Sequence, residues 1–429
     1  MDKDILSFFT FSDPNVRYVV IGAILLTATS AVVGTFTFLK KKALVGDAVA
    51  HSVLPGVCLS FLVWGEKNPL ILIPGAFATG WLSLVIIDYV RANSKIKEDT
   101  AIGLTLSVFF GIGIFLLTII QKSGNAAQSG LDAFLFGQAA SLIGQDLIVF
   151  SITAFLLLIT VFFLFKELTI LAFDADFAAT IGIPIRAIEL VLTTLTVLAV
   201  VIGIQAVGVV LMAAMLITPA AAARFWTENV HVMVILAAIF GAVSGFAGAF
   251  ISYTAPSMPT GPWIVVVVSA IAFFSFFFAP GKGILHRLLV SRRIRHSMTD
   301  ENILKTFYNL GERDGNFEES RSLEDLLALR SFEKEELLSG LKRLSRDGFI
   351  VRSPSGYAFT TDGMNKGKRT VKLHRLWELY LTQYLRIAPD HVHDDADTIE
   401  HILTPELEAR LEKLLDYPKV DPHQSEIPY

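Results

Sequence analysis

Apolar residues run almost unbroken through the first two thirds of the chain. They form stretches near 17–39, 47–64, 69–90, 100–120, 145–165, 187–205, 206–223, 231–253 and 262–279. Crossing a bilayer takes about 20 apolar residues in helical form, so each stretch reads as a membrane span. The sixth and seventh are hard to divide: "VIGIQAVGVVLMAAMLITPAA" is continuous, and only Gly203, Gln205 and Gly208 suggest a break. The expectation is therefore nine spans, or eight. Beyond about Pro280 the pattern changes. "TDENILKTFYNL", "SRSLEDLLAL" and "EKEELLSGLKRLSRDG" each carry helical apolar periodicity, and "FIVRSPSGYAFTTDG" reads as two short strands about a Ser-Gly turn. Three helices and a hairpin are the elements of a winged helix. The long helical stretch "NKGKRTVKLHRLWELYLTQYL" follows. The pattern predicts an all-α polytopic membrane domain of eight or nine transmembrane helices over 1–285 and a basic linker over 286–298. A winged-helix domain over 299–363 and a helical region over 364–429 complete the chain.

Composition agrees with that division. The 429 residues are 53% hydrophobic, with a mean hydropathy of +0.57, too apolar for an ordinary water-soluble chain. Residues 1–297 hold 18 Lys and Arg against 15 Asp and Glu, and 298–429 hold 18 against 25, so +3 and −7 give the net −4. Lys and Arg in short loops orient the spans. Lys40, Lys41, Lys42, Arg91, Lys95, Lys97, Lys166, Arg186, Arg224, Lys282, Arg287, Arg292, Arg293 and Arg295 fall on one side if nine spans alternate. The opposite loops, "GEKNP", "QKSGNAAQSG" and "TAPSMPTGP", hold two lysines between them. The basic side is cytoplasmic, which puts the amino terminus outside and the acidic tail inside. A single cysteine, Cys58, excludes an internal disulfide, and Asp2, Lys3 and Asp4 ahead of the first apolar run do not open a cleavable signal.

Two polar residues interrupt the second span. In "GDAVAHSVLPG" Asp47 and His51 stand four apart, so a helix places them on one face. Charge in hydrocarbon costs roughly 2.5 kcal/mol or more, so such residues face a pore or a partner. A carboxylate and an imidazole suit a divalent first-row cation such as manganese, iron or zinc. Two ligands make a weak site, and a two-fold pairing of chains would double them. The alternative is that Asp47 stabilises the positive end of its helix and His51 bonds to a neighbouring helix.

"GTFTFLKKKALVGDAVAHSVLPGV", "KEDTAIGLTLSVFFGIGIFLL", "GLDAFLFGQ" and "GVVLMAAMLITPAAAARF" resemble, in order and spacing, the permease subunits of bacterial manganese, zinc and iron ABC importers over about residues 15–280. The resemblance implies a homodimeric multi-pass permease of the bacterial cytoplasmic membrane. It would receive its divalent metal from an extracellular or periplasmic solute-binding protein, and Asp47 and His51 would line the translocation path. A cytoplasmic ATPase would drive it. No GxxxxGK[ST] phosphate loop occurs in the chain, so neither nucleotide binding nor enzymatic activity is expected of it. The matching coupling element is "LAFDADFAATIGIP", with Asp174 and Asp176 near its start, Phe177 inside, and Gly182 and Pro184 ending it. Pro219 and Gly208 could mark a moving break, although proline kinks are common in membrane helices. Arg224 reads as an anchor and "IAFFSFFFAP" as lipid-facing or packing surface.

Five of nine histidines lie in the tail. His374 and Glu378 are four apart, as are His393 and Asp397, and Glu400 and His401 come one turn later. Rows of nitrogen and oxygen donors at helical spacing can hold transition metals without cysteine. A solvated acidic face is the competing reading. "LKRLSRDGFI", "TTDG", "HRLWELYL", "DHVHDDADTIEHILTPELEARLEKLL" and "DPHQSEIP" resemble the iron- and manganese-dependent repressors of the diphtheria-toxin-repressor type, over roughly 299–429. The resemblance implies one regulatory metal site at His374, Glu378 and His393 and another at Asp397, Glu400 and His401. The first helix departs from that pattern, with Asn302 where a methionine or aspartate ligand stands and Lys305 where manganese-type members place glutamate. Lys342, Arg343 and Arg346 are the candidate DNA-facing residues, with Lys366, Lys368 and Arg369 as further cations. Against them, Glu333, Glu335 and Glu336 open the recognition helix, and carboxylates repel phosphate. Three readings of the tail follow: a metal-sensing brake on transport, a metal-dependent repressor fused to the permease, or a dimerisation module.

Overall fold

The computed structural model describes residues 8–66, 68–122, 144–254, 258–385 and 405–429. The chain forms two compact units, Met1–His286 and Arg287–Tyr429.

In the first unit the helices are α1 (Pro14–Leu39), α2 (Val45–Trp64), α3 (Pro69–Asn93), α4 (Glu98–Lys122), α5 (Gly144–Phe163), α6 (Phe165–Phe173), α7 (Ala175–Thr180), α8 (Ile185–Val207), α9 (Val209–Trp226), α10 (Val230–Thr254) and α11 (Thr260–Phe278). Among the described residues eight helices are long and apolar enough to cross a membrane, and α9 contributes a shorter apolar helix, Leu211–Trp226. The sequence "GLDAFLFGQ" lies outside the described residues.

The uncertain division between the sixth and seventh spans falls at Gly208, not just after Gln205. Gly208 has φ 91° and ψ 162°, and caps α8 through its N–H on the Ile204 carbonyl. That backbone region is open essentially to glycine alone. Gly203 stays inside α8, where a Cβ would run into the Met212 side chain, so its role is close packing.

The helix starts follow local chemistry. Asp13 accepts from the Asn15 N–H at 2.8 Å to cap α1, and Asn68 accepts from the Leu70 N–H at 3.0 Å to cap α3. With lipid tails as apolar as the side chains, small residues and side-chain hydrogen bonds hold such helices together. Thr27 Oγ1 donates to the Gly241 carbonyl at 2.7 Å, joining α1 to α10. α2 is largely enclosed: Ala48, Val49, Ala50, Val53, Leu54, Val57, Cys58 and Phe61 are all buried.

The second unit holds α12 (Ile284–Asp314, from Arg287 onward), α13 (Leu323–Leu329), α14 (Lys334–Arg346), strands β1 (Ile350–Ser353) and β2 (Gly356–Phe359), α15 (Thr361–Tyr384) and α16 (Pro405–Leu414). The strands are antiparallel, with Ile350 opposite Phe359 and Ser353 opposite Gly356. Ser322 and Asp325 form a reciprocal capping box at the start of α13. Ile303, Leu304, Phe307, Leu310, Leu326, Leu337, Leu341, Leu344 and Ile350 make the winged-helix core. A second cluster, Leu376, Leu379, Leu411, Leu415 and Ile427, joins α15 to α16 and the residues after it.

Candidate functional site

The first candidate site sits in the opening turns of α2. Leu44 precedes α2 without a side-chain cap, and Asp47 is the acidic residue of its first turn, where a carboxylate offsets the unsatisfied N–H groups. One turn on, His51 Nε2 lies 3.4 Å from Asp47 Oδ1, with the imidazole 19% and the carboxylate 40% exposed. The Phe110 ring on α4 packs edge-to-face with the imidazole, with ring centres 4.9 Å apart and planes at 86°. His51 Nδ1 is buried without a hydrogen-bond partner. The helix-stabilising role of Asp47 is thus compatible with its position, whereas no hydrogen bond to a neighbouring helix is found at His51 Nδ1. Two ligands at about 2.1 Å from one cation, seen at an angle of about 105°, lie about 3.4 Å apart. The pair therefore has the spacing for bidentate capture of a divalent ion. No group of three or more His, Cys, Asp and Glu able to hold a metal occurs among the described residues.

The second element is α7. Asp174 accepts from the Phe177 N–H at 2.8 Å and caps the helix, and Asp176 lies in its first turn. Gly182, at φ +82°, ends the element. Gly182 N–H donates to the Ala179 carbonyl at 3.1 Å and Ile183 N–H to Ala178 at 3.0 Å. Ala178 is buried, whereas Phe173, Phe177 and Ile181 are 60%, 53% and 49% exposed. Two carboxylates and the bare apolar side chains of Phe177 and Ile181 therefore share a short, well-ended element, with Phe173 exposed just before it.

In the second unit, His374 Nε2 and Glu378 Oε1 are 3.0 Å apart on α15, with side chains only 5% and 3% exposed. His393, Asp397, Glu400 and His401 lie outside the described residues. Lys305 is buried at 3% exposure, and Asn302 Oδ1 is buried without a hydrogen-bond partner.

Several basic residues singled out from the sequence are engaged within the unit. Arg343 holds both oxygens of Asp300, Nη2 to Oδ1 at 2.7 Å and Nε to Oδ2 at 3.1 Å. Arg346 pairs with Asp347 at 2.9 Å. Arg369 pairs with Glu408 at 2.7 Å, and Lys366 lies 3.8 Å from Glu301. Lys342 is exposed, and so are Glu333 and Glu335 at the start of α14. Glu336 accepts from Thr299 Oγ1 at 2.7 Å. Residue spacing gave no signal of the Arg343–Asp300 bond, because its partners are 43 positions apart. The same is true of Arg375, which grips Glu312 at 2.6 and 3.0 Å across 63 positions.

Known proteins resemble the chain in the same two parts. Residues 12–279 match the ABC 3 transport family. Residues 360–429 match the iron dependent repressor, metal binding and dimerisation domain. The manganese transport system membrane protein MntC of Bacillus subtilis is 42% identical over 405 residues, spanning 94% of this chain and 92% of that protein. The zinc transport system membrane protein TroC of Treponema pallidum is 42% identical over 284 residues, spanning 66% of this chain and 95% of that protein. Among solved structures, PsaBC from Streptococcus pneumoniae in complex with Fab superposes with a TM-score of 0.60 at 32% identity, covering 68% of this chain and all of that one. With eight apolar helices in the described residues and a family match across more than half its length, the chain is a multi-pass membrane protein that belongs to the ABC 3 transport family and carries an iron dependent repressor domain behind it.

Proposed function

We propose that the chain is the permease subunit of an importer for a divalent first-row metal, with manganese and zinc, the metals named for its relatives, as leading cargo and iron as a third candidate. The observation that carries this reading is the Asp47–His51 pair: a carboxylate and an imidazole 3.4 Å apart in the first turns of an otherwise apolar helix. An ion in transit needs ligands strong enough to replace part of its water and few enough to let it go. A carboxylate and an imidazole per chain meet that need, and a second copy about a two-fold axis would bring the set to four.

Energy must come from a separate ATPase, since the chain carries no phosphate-binding loop. We assign its docking to α7, whose exposed Phe177, Asp174 and Asp176 offer mixed apolar and acidic chemistry and whose Gly182 fixes the exit of the chain. Cargo would arrive from a solute-binding protein on the outer side. The basic loops orient the permease in the bacterial cytoplasmic membrane with the second unit in the cytoplasm.

For the second unit we favour a metal-sensing regulatory role. His374 and Glu378 fit a transition metal: the donors are of the right type, buried, and 3.0 Å apart. His393 would complete that site, and Asp397, Glu400 and His401 a second one. A bound cation there supplies positive charge and a cross-link. The alternative, a repressor acting on DNA, is disfavoured by the commitment of Arg343 to Asp300, by the pairing of Arg346 with Asp347, and by the exposed Glu333 and Glu335 at the helix start.

The test is metal accumulation in cells that depend on this importer. Asp47→Ala and His51→Ala should each abolish uptake while membrane level and subunit assembly stay at wild-type values. Normal uptake in both variants would sink the proposal. A metal-dependent, sequence-specific shift of promoter DNA by the full chain would move the second unit to the repressor reading.

A further inference from the structure

Around the basic ends of α1, α3 and α8, three cations and three carboxylates form one set. Lys40 Nζ lies 2.5 Å from Glu189 Oε1, Lys42 Nζ 3.9 Å from Asp88 Oδ1, and Arg91 3.8 Å from Asp88 and 3.1 Å from Glu98. The pairs are not equivalent. Arg91 and Asp88 are 46% and 52% exposed, so solvent screens them. Lys40 is only 11% exposed, its partner Glu189 is 42% exposed, and the two make the shortest contact of the set. Lys40 and Glu189 are also 149 positions apart and join α8 to the segment that leads into α2.

What lies on either side of this pair is tightly connected. Toward α2, Lys42 N–H donates to the Thr37 carbonyl at 3.1 Å and Val45 N–H to the Lys42 carbonyl at 3.3 Å. Residues 40–45 thus form a hydrogen-bonded turn ending two residues before Asp47. Toward α7, Ile183 N–H donates to Ala178 at 3.0 Å, and Ala187 N–H to the Pro184 carbonyl at 3.0 Å, so α7 runs into α8 through a closed turn. Glu189 follows in the opening turns of α8. A continuous series of short links therefore runs from α7, through Glu189 and Lys40, to the helix that carries Asp47 and His51.

The pair is not what holds α1 to α8. Deeper in the unit Thr37 Oγ1 and Thr196 Oγ1 are 3.2 Å apart and buried, beside buried apolar residues of both helices. A short ion pair with a buried cation and a half-exposed carboxylate, which the packing does not require, placed between a docking element and a cargo site, is suited to transmission.

We propose that Lys40 and Glu189 are positioning residues for transport: their ion pair relays the seating of the ATPase on α7 to the metal ligands of α2. This rests on the reading of α7 as the docking element, and it adds the route by which docking reaches the cargo site. The physical requirement is a contact that ties the two helices end to end while Thr37 and Thr196 act as the pivot.

The experiment uses the assembled permease and ATPase in proteoliposomes, with Lys40→Glu, Glu189→Lys and the double exchange. Co-purified ATPase, ATP hydrolysis and radioactive manganese uptake are read on the same preparation. Each single variant should retain the ATPase and its hydrolysis, yet lose roughly tenfold in metal moved per ATP. The double exchange should recover to within about threefold of wild type, because the attraction is restored with its sign reversed. Lys40→Gln and Glu189→Gln, which carry no repulsion, should show a smaller loss of the same ratio and serve if the reversals fail to insert. Wild-type transport per ATP in the single variants, or a double exchange no better than either single, overturns the proposal. Failure of the docking reading looks different: the ATPase would then stay bound when α7 itself is altered, whatever happens at Lys40.

Discussion

Gly113 sets the distance between α4 and the metal-bearing helix, and replacing it with alanine should show how tightly the site is seated. A Cβ at Gly113 would lie 2.8 Å from both Cγ and Cδ2 of Leu54 and 2.9 Å from its Cβ. Carbon atoms rest about 3.5 to 4.0 Å apart, so α4 must retreat by roughly 0.7 to 1.2 Å, because Leu54 Cβ is fixed to the α2 backbone and cannot swing aside. Leu54 is 2% exposed, enclosed in the packed interior of the unit. Overpacking of this kind costs about 1 to 3 kcal/mol, or a fall of roughly 2 to 10 °C in apparent melting temperature for a unit of this size. The displacement also reaches the site, since Phe110, one turn earlier on α4, packs edge-to-face with the His51 ring at a centroid separation of 4.9 Å. Metal accumulation should drop severalfold at normal membrane level. Gly111 provides the control: it lies two residues away on the same helix, and nothing is within 4 Å of its would-be Cβ. Gly111→Ala should be neutral or stabilising, by up to about 1 kcal/mol, because it removes only the flexibility of a helix-interior glycine. Melting of purified protein in detergent, followed by uptake in cells, compares the two. A Gly113→Ala variant that melts and transports like Gly111→Ala would refute the argument.

Three further outcomes are expected. Reversing Asp174 and Asp176 to lysine together, or replacing Gly182 with proline against its φ of +82°, should abolish co-purification of the ATPase while the permease still inserts. The full chain carrying His374→Ala and Glu378→Ala should lose one class of bound metal, measured by elemental analysis after dialysis, and should over-accumulate metal in cells at high external supply if the second unit is a brake. Burial by itself would raise the Glu408 carboxyl, but its bonds to Lys372 and Arg369 outweigh burial and hold it below its ordinary value of 4.5. The depressed carboxylate contributes stability above pH 4.5 that is lost as pH falls through its lower folded value. The α15–α16 contact should therefore loosen in acid, read as faster amide exchange in α16, and Glu408→Gln should remove that pH dependence.

What the order of residues determined alone is whatever depends on neighbours within a few turns. The apolar runs specify the spans, because a bilayer demands length and internal hydrogen bonding and little else. Asp47 and His51 meet because any helix brings residues four apart onto one face. The limits of α7 follow likewise from Asp174 as its cap and Gly182 at its end. Tertiary structure decided the rest. Gly203 and Gly208 look equally able to divide the sixth and seventh spans, and only the packing of Met212 against Gly203 keeps one inside a helix while the other takes the backbone turn. Arg343 reads as a free cation on a helix until Asp300 arrives from 43 residues earlier to accept from two of its three guanidinium nitrogens. Lys40 reads as one of three loop lysines that orient the membrane domain until Glu189 closes on it from 149 residues away. A charge on one element finds its partner through the fold of all the others, and helical period, reaching only four residues along the chain, carries no record of that meeting.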